Sequence, residues 1–241
     1  MALSEFQFNL LSCEYITPRV KHFIGKIESE TPWSFIPGQF ITIIFEHEQK
    51  TLRRSYSIAN APQDNIIEFA AAFVEGGPGS QFLFNLKPGD SVKIAGPFGR
   101  LVLKDEECQR YLLVGTGTGI TPYRSMLPTI FNKMNTQPQL SVEIIEGVSV
   151  AEELLFEKDF LAAKDAQSKI HFTAAISREK IEKPHCHHGR VQSVLKEKNL
   201  DPSSDIIYLC GNPQMIDDTT QMLQELGFPI QRIVREKYIS R

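Results

Sequence analysis

The stretch "LLVGTGTGITPYRSM", residues 112–126, decides the architecture of the second half of this chain. It runs from an apolar, strand-like segment through three alternate glycines, Gly115, Gly117 and Gly119, into Thr121 and Pro122. Threonine is a good helix N-cap and proline suits the first helical position, so the pattern predicts a strand, a glycine turn and a helix in succession. Glycines let a backbone pass close to a phosphate, and the free N–H groups and dipole of a helix start attract one. The spacing is not the G-x-G-x-x-G dinucleotide fingerprint, because Ile120 stands at the third glycine position, and a plain tight turn is the other reading.

Downstream of this stretch, strand-like and helical runs alternate. They read "RYLLVG", "PYRSMLPTIFNKM", "LSVEIIEGV", "AEELLFEKDFLAAK", "KIHFTAAIS", "RVQSVLKEKN", "DIIYLCG", "PQMIDDTTQMLQELG" and "QRIVREKYIS". Five strands and four helices in that order predict a parallel five-stranded sheet with helices on both faces and ligands at the carboxyl ends of its strands. The fourth strand ends in "LCGNPQM", where Asn212 is placed to cap a helix begun by Pro213 and Cys210 and Gly211 sit on the sheet's carboxyl edge, with a buried structural thiol as the other reading of Cys210. The third ends in "AISREK", so Ser177 and Arg178 emerge at the same edge, with Arg190 of "HHGRV" shortly after. Two arginines and a hydroxyl suit a phosphate monoester, and ordinary solvated surface is the alternative. "HCHHG", residues 185–189, has no partner cluster elsewhere, so it reads as a loop of exposed histidines and no metal site is expected.

Upstream the rhythm differs. Short runs, "FQFNLLSCEYI", "HFIGKIE", "QFITIIFE", "RRSYSIA", "IIEFAAAFV" and "SVKIAG", are separated by turns such as "TPWSFIPGQ" and "APQDN", which predicts a small antiparallel β-barrel. One short helix is expected at "SQFLFNL". Domains are therefore placed at residues 1–105 and 106–241, with the charged segment "LVLKDEECQR" at the boundary. Within the barrel, "RRSYSIAN", residues 53–60, sets two arginines, a tyrosine and two serines in a strand. Period-two alternation puts Arg54 and Tyr56 on one face and Ser57 on the other.

The chain has 241 residues, 41% hydrophobic and 23% charged, with a formal net charge of -3. Residues 1–105 carry 10 basic against 11 acidic side chains, leaving 16 against 18 in the rest, so neither half has the basicity of a nucleic-acid binder. No apolar run approaches the roughly 20 residues that span a bilayer, and no secretory signal is evident, so no membrane association and a cytoplasmic location are expected. Cys13, Cys108, Cys186 and Cys210 are scattered at no metal or redox spacing.

Taken in order, these motifs resemble the ferredoxin–NADP reductase family over essentially the whole chain. "RSYS" is similar to the family's flavin signature, which implies Arg54 on the FAD pyrophosphate, Tyr56 against the isoalloxazine and Ser57 near the reactive N5. "GGPGS" resembles its phosphate loop, implying Gly77, Gly79 and Ser80 at the pyrophosphate, with Ala71, Phe73 and Val74 lining the flavin. "GPFG", residues 96–99, is similar to the family's inter-domain loop. "GTGTGITP" implies Thr118, Gly119 and Thr121 near the nicotinamide, and "CGNPQM" implies Cys210 beside that ring. "SREK" with "GR" resembles the 2′-phosphate pocket of NADP-using members, implying Ser177, Arg178 and Arg190. Many relatives end on or just after an aromatic that covers the flavin; here Tyr238 is followed by three residues, and Tyr238 for shielding and Glu236 for proton relay are the corresponding candidates.

The resemblance implies a monomer that passes hydride from NADPH to bound FAD, with Ser57, Cys210 and Glu236 at the reacting centre, then single electrons to ferredoxin or flavodoxin. An NAD(P)H:flavin reductase is one alternative. The reductase of an oxygenase system is another; the four scattered cysteines cannot build the plant-type iron–sulfur site, so it would act through a separate ferredoxin. A non-catalytic nucleotide-binding module is the reading of a different class.

Overall fold

The computed structural model describes residues 5–238, in two units that part between Leu103 and Lys104. The three residues after Tyr238 lie outside the described residues.

The first unit is built from β1 (Glu5–Thr17), β2 (Val20–Glu28), β3 (Phe40–His47), β4 (Lys50–Ser57), β5 (Ile66–Ala72), α1 (Pro78–Asn85) and β6 (Ser91–Phe98). The strands form one antiparallel sheet in the order β4-β3-β6-β1-β2-β5. It curls into a barrel where the chain beyond β4 meets β5: Ile58 bridges Phe69, and the Ala59 N–H donates to the Glu68 carbonyl at 2.7 Å. Alternate residues, among them Phe8 and Leu10, Ile41 and Ile43, Phe69 and Ala71, fill the interior, where Phe23 stacks on Phe69 at 4.9 Å. Each of these phenylalanine, leucine and isoleucine side chains contributes about 1.5–3 kcal/mol of burial.

The β3–β4 turn sets the register that matters for the site. Glu48 and Gln49 both hold positive φ, 48° and 61°, the geometry of a two-residue hairpin turn matched to strand twist. Neither residue type announces that turn in the sequence. The register it fixes pairs Arg54 with Ile43 and Tyr56 with Ile41, so both functional candidates share a face with core isoleucines. Helix α1 lies over this region: Phe82 stacks on Phe45 at 4.6 Å, and Leu83 is buried.

The second unit contains β7 (Arg110–Thr116), α2 (Thr121–Thr136), β8 (Ser141–Val148), α3 (Glu157–Ala166), β9 (Ile170–Ile176), β10 (Cys186–His188), α4 (Val191–Glu197), β11 (Asp205–Gly211), α5 (Pro213–Glu225) and β12 (Ile233–Lys237). All strands are parallel, in the order β10-β9-β8-β7-β11-β12. The expected five-stranded sheet is therefore corrected to six. The histidine-rich segment read as a loop supplies β10, a three-residue edge strand whose polar composition carries no strand signal. Helix α3 starts at Glu157, six residues later than the run "AEELLFEKDFLAAK" suggests, because Phe156 adopts a left-handed φ of 55°.

The chain leaves β7 toward β8 on one side and returns to β11 on the other. The carboxyl ends of β7 and β11 thus form the switch point where ligands of such sheets gather. Gly119 makes this junction possible: a Cβ there would sit 2.3 Å from the Cys210 carbonyl oxygen. Gly117 is different, with φ of 53° and nothing within 4 Å of an added Cβ. Gly119→Ala is expected to destabilise the protein by about 3 kcal/mol or more through overpacking, because the clash is with backbone. Gly117→Ala should cost only the left-handed penalty of about 1–2 kcal/mol and keep native spectra. Urea unfolding of both variants checks this; a Gly119→Ala midpoint at or above that of Gly117→Ala would contradict the packing account.

Candidate functional site

In the first unit, Arg54 and Tyr56 come together at the start of α1. A Cβ on Gly79 would meet Arg54 Cγ at 2.7 Å and Tyr56 Oη at 3.4 Å, so the helix can approach only because Gly79 has no side chain. The Arg54 guanidinium donates to the Arg53 carbonyl at 2.8 Å. Tyr56 tilts against Phe69 at 5.3 Å, and its phenol is pushed up to about 12, by burial first and against the opposing pull of Arg54. It is a neutral hydroxyl throughout the physiological range. Ser57 ends β4 with only 4% exposure.

The Ser80 hydroxyl is taken by its own loop. Its Oγ accepts from the Val74 N–H at 3.1 Å and lies 2.9 Å and 3.0 Å from the Val74 and Gly77 carbonyls, so its single proton serves the loop. What α1 leaves for an anion is its first-turn N–H groups, at Gly79 and Ser80, since Pro78 has none. Phe73 and Val74 are exposed, with Phe73 edge-on to Phe84 at 5.3 Å, whereas Ala71 is buried in the barrel core. Gly77 precedes the helix and would crowd Val74 if it carried a Cβ. A guanidinium, a neutral phenol and two backbone donors around one glycine form a donor set that fits a diphosphate, and the exposed Phe73 and Val74 add apolar surface.

In the second unit, the glycine turn is a 3-10 segment, Gly117–Ile120, that runs straight into α2. Thr121 is therefore the first helical residue and not the expected cap: its φ of -53° and ψ of -48° are helical, and a cap needs extended backbone. Its Oγ1 is buried without a hydrogen-bond partner, an orphaned donor beside the glycine turn. Asn212, by contrast, caps α5 as its sequence suggests, accepting from Gln214 and Met215 N–H groups at 2.9 Å and 3.2 Å.

Cys210, Glu236, Tyr238, Thr118 and Gly119 converge at the β7–β11 switch point. Cys210 pairs in register with Glu236. The Tyr238 N–H donates to the Gly211 carbonyl at 2.9 Å, and its hydroxyl to the Thr118 carbonyl at 3.4 Å. Cys210 is fully buried, which holds its thiol well above the usual cysteine range; Glu236 pushes the same way, and a Tyr238 hydrogen bond opposes. It is a neutral thiol, inert as a nucleophile. Two neighbours, Tyr123 and Thr116, were not anticipated from sequence. Tyr123 is fully buried and donates to the Val114 carbonyl at 3.0 Å. Gly211, at φ 119°, lets Thr116 approach, and Thr116 Oγ1 accepts from the Asn212 N–H at 3.0 Å. The glycine after Cys210 was the available signal for this pair.

At the same carboxyl edge, Arg178 and Arg190 are both exposed and neither joins an ion pair among the described residues. Ile176 pairs with His188, so each arginine lies two residues beyond one member of a registered pair. The unanticipated strand β10 pairs with β9, so both arginines follow the carboxyl ends of neighbouring strands. Ser177 Oγ donates to the Val148 carbonyl at 3.3 Å, so its proton already has an acceptor. An exposed guanidinium pair at this edge suits a phosphate monoester. The nearby histidines have protein partners: His185 with Glu157 at 2.8 Å, His187 with Ser193 at 2.9 Å, and His188 with the Glu179 carbonyl at 3.0 Å. No cluster suited to a metal ion occurs among the described residues. No helix among them is long and apolar enough to cross a membrane.

Comparison with known proteins falls on the same division. An oxidoreductase FAD-binding domain matches residues 7–103 and an oxidoreductase NAD-binding domain matches residues 113–221. The toluate 1,2-dioxygenase electron transfer component of Pseudomonas putida is 30% identical over 209 residues, covering 86% of this chain; the chain spans 60% of that relative's length. Ferredoxin–NADP reductase B of Sorangium cellulosum is 25% identical over 241 residues, covering 97% of each. A crystal structure of a ferredoxin NADP+ reductase from Neisseria gonorrhoeae, with bound FAD and NADP, shares the fold at a TM-score of 0.85 and 24% identity, covering 98% of this chain and 99% of its own. With the flavin-domain match on the barrel and the nucleotide-domain match on the parallel sheet, the chain belongs to the ferredoxin–NADP reductase family of FAD- and NAD(P)-binding oxidoreductases.

Proposed function

We propose that this oxidoreductase takes hydride from NADPH onto FAD held by the barrel and delivers electrons singly to a ferredoxin or flavodoxin. Bound FAD supplies the conversion between two-electron and one-electron chemistry. The protein's own residues bind, orient and shelter. Arg54 and the first-turn N–H groups of α1 hold the diphosphate, the Tyr56 phenol stays neutral beside the flavin, and Ser57 presents its hydroxyl near N5. Glu236, paired in register with Cys210, is the candidate proton relay at the nicotinamide side. Tyr238 covers the end of the β7–α2 turn. The observation that carries the choice of NADPH over NADH is that Arg178 and Arg190, both exposed at the carboxyl edge, form no ion pair among the described residues.

The four cysteines of the described residues are dispersed, with Cys108 and Cys210 buried and Cys13 in the other unit, so they build no iron–sulfur site among themselves, which supports a ferredoxin or flavodoxin as the acceptor. The Sorangium relative supports a ferredoxin–NADP reductase. The Pseudomonas relative favours a second reading, the reductase of an oxygenase system acting through a separate ferredoxin. Under either reading we place the protein in the cytoplasm as a monomer. Gel filtration of the FAD-loaded protein tests the monomer: elution at the mass of one chain is expected, and a dimer would refute it.

Arg178→Ala is expected to raise KM for NADPH about 10–100-fold, the loss of charge-assisted hydrogen bonds of about 1.5–3 kcal/mol, while KM for NADH hardly moves. Equal effects on both coenzymes would defeat the 2′-phosphate assignment. Ser57→Ala should slow single-turnover flavin reduction by about tenfold with FAD still bound. An unchanged rate removes Ser57 from the chemistry. Turnover with purified ferredoxin or flavodoxin should exceed that with free FMN; the reverse order would make free flavin the substrate.

A further inference from the structure

The segment that carries Arg190 has an internal hydrogen-bond chain that the flavin and nicotinamide chemistry does not require. Strand β10 is three residues long and pairs on one side only, so it holds the following turn weakly by itself. The turn is instead fixed locally. The Gly189 N–H donates to the Ile176 carbonyl at 2.8 Å, and Gly189 sits at φ 146°. The Arg190 carbonyl then accepts twice from Ser193, from its N–H at 2.9 Å and from its hydroxyl at 2.6 Å. His187 Nε2 lies 2.9 Å from the same Ser193 oxygen, and its Nδ1 lies 3.6 Å from the Glu197 carboxylate.

Proton accounting gives this chain a direction. A serine hydroxyl has one proton, and at Ser193 the Arg190 carbonyl takes it, so Ser193 Oγ accepts from an Nε2–H of His187. The order is His187 to Ser193 to the Arg190 carbonyl. Gly189 leaves room for it: a Cβ there would stand 2.5 Å from Ser193 Oγ and 3.3 Å from His187 Nε2. The chain pins the extended backbone of Arg190, φ -91° and ψ 164°, and with it the direction in which the side chain leaves. Arginine carries large rotamer entropy, so fixing its root raises the affinity its guanidinium can express.

We propose that His187 and Ser193 are positioning residues that set discrimination for the 2′-phosphate by holding Arg190 beside Arg178. This rests on the 2′-phosphate reading of the two arginines, and its test separates the two ideas. Calorimetry on the FAD-loaded protein measures binding of adenosine 2′,5′-bisphosphate and of 5′-AMP to wild type, Ser193→Ala, His187→Leu and Arg190→Ala. Ser193→Ala and His187→Leu should each weaken the bisphosphate about three- to tenfold and leave 5′-AMP within about twofold, the scale of one neutral hydrogen bond. KM for NADPH should rise by the same factor with kcat unchanged. Ser193→Thr and His187→Gln, which keep the hydroxyl and a donor, should restore wild-type affinity. If Arg190→Ala is selective for the bisphosphate while Ser193→Ala and His187→Leu are not, the positioning role is wrong and the pocket stands. If Arg190→Ala weakens both ligands alike, the pocket itself is wrong. Should Ser193→Ala fail to fold, the His187→Leu and His187→Gln pair decides.

Discussion

The second unit depends on one backbone contact: Gly119 rests on the end of β11, against the Cys210 carbonyl and the Gly211 Cα. Gly115 makes the complementary allowance, since a Cβ there would lie 2.8 Å from the Gly119 backbone. Two of the three alternate glycines are thus required by packing, and only Gly117 opens to space. That division has a chemical result. The β7–α2 turn folds down onto the switch point, with Gly119 against Cys210 and Tyr238 closing over the Thr118 carbonyl. A nucleotide site results from strand ends brought within contact of one another, and glycine is the residue that permits the contact.

The barrel solves a related problem by another route. Its strand β4 carries an arginine and a tyrosine on the face shared with buried isoleucines. Helix α1 covers that face, with Gly79 against Arg54 and Tyr56, and leaves its own first-turn donors there. Positive charge and unpaired N–H groups gather at one place that a diphosphate would neutralise. The same face keeps the Tyr56 phenol buried enough to remain protonated.

Much of this was legible in the sequence because it follows from period. Strands alternating with helices, and short strands between turns, declared the two architectures, and Asn212 before Pro213 declared its cap. What failed to show depends on who uses a given atom. Ser80 and Ser177 have the right chemistry for phosphate, but nearby carbonyls take their protons, and no spacing rule reveals that. Thr121 stood where a cap belongs, yet the 3-10 turn before it already had helical geometry. Strand β10 was invisible because Cys186, His187 and His188 have no apolar alternation; its identity comes only from pairing with β9. The omission mattered, since that strand carries the chain to Arg190 at the same sheet edge that Arg178 leaves.

The central claim is that this chain holds FAD firmly and reduces it with NADPH. The direct measurement is anaerobic stopped-flow absorbance of the protein after it has been loaded with FAD and passed through gel filtration. The account predicts that the yellow chromophore travels with the protein and is bleached rapidly by NADPH and far more slowly by NADH at the same subsaturating concentration. A protein that emerges colourless, or whose retained flavin stays oxidised when NADPH is added, would contradict it.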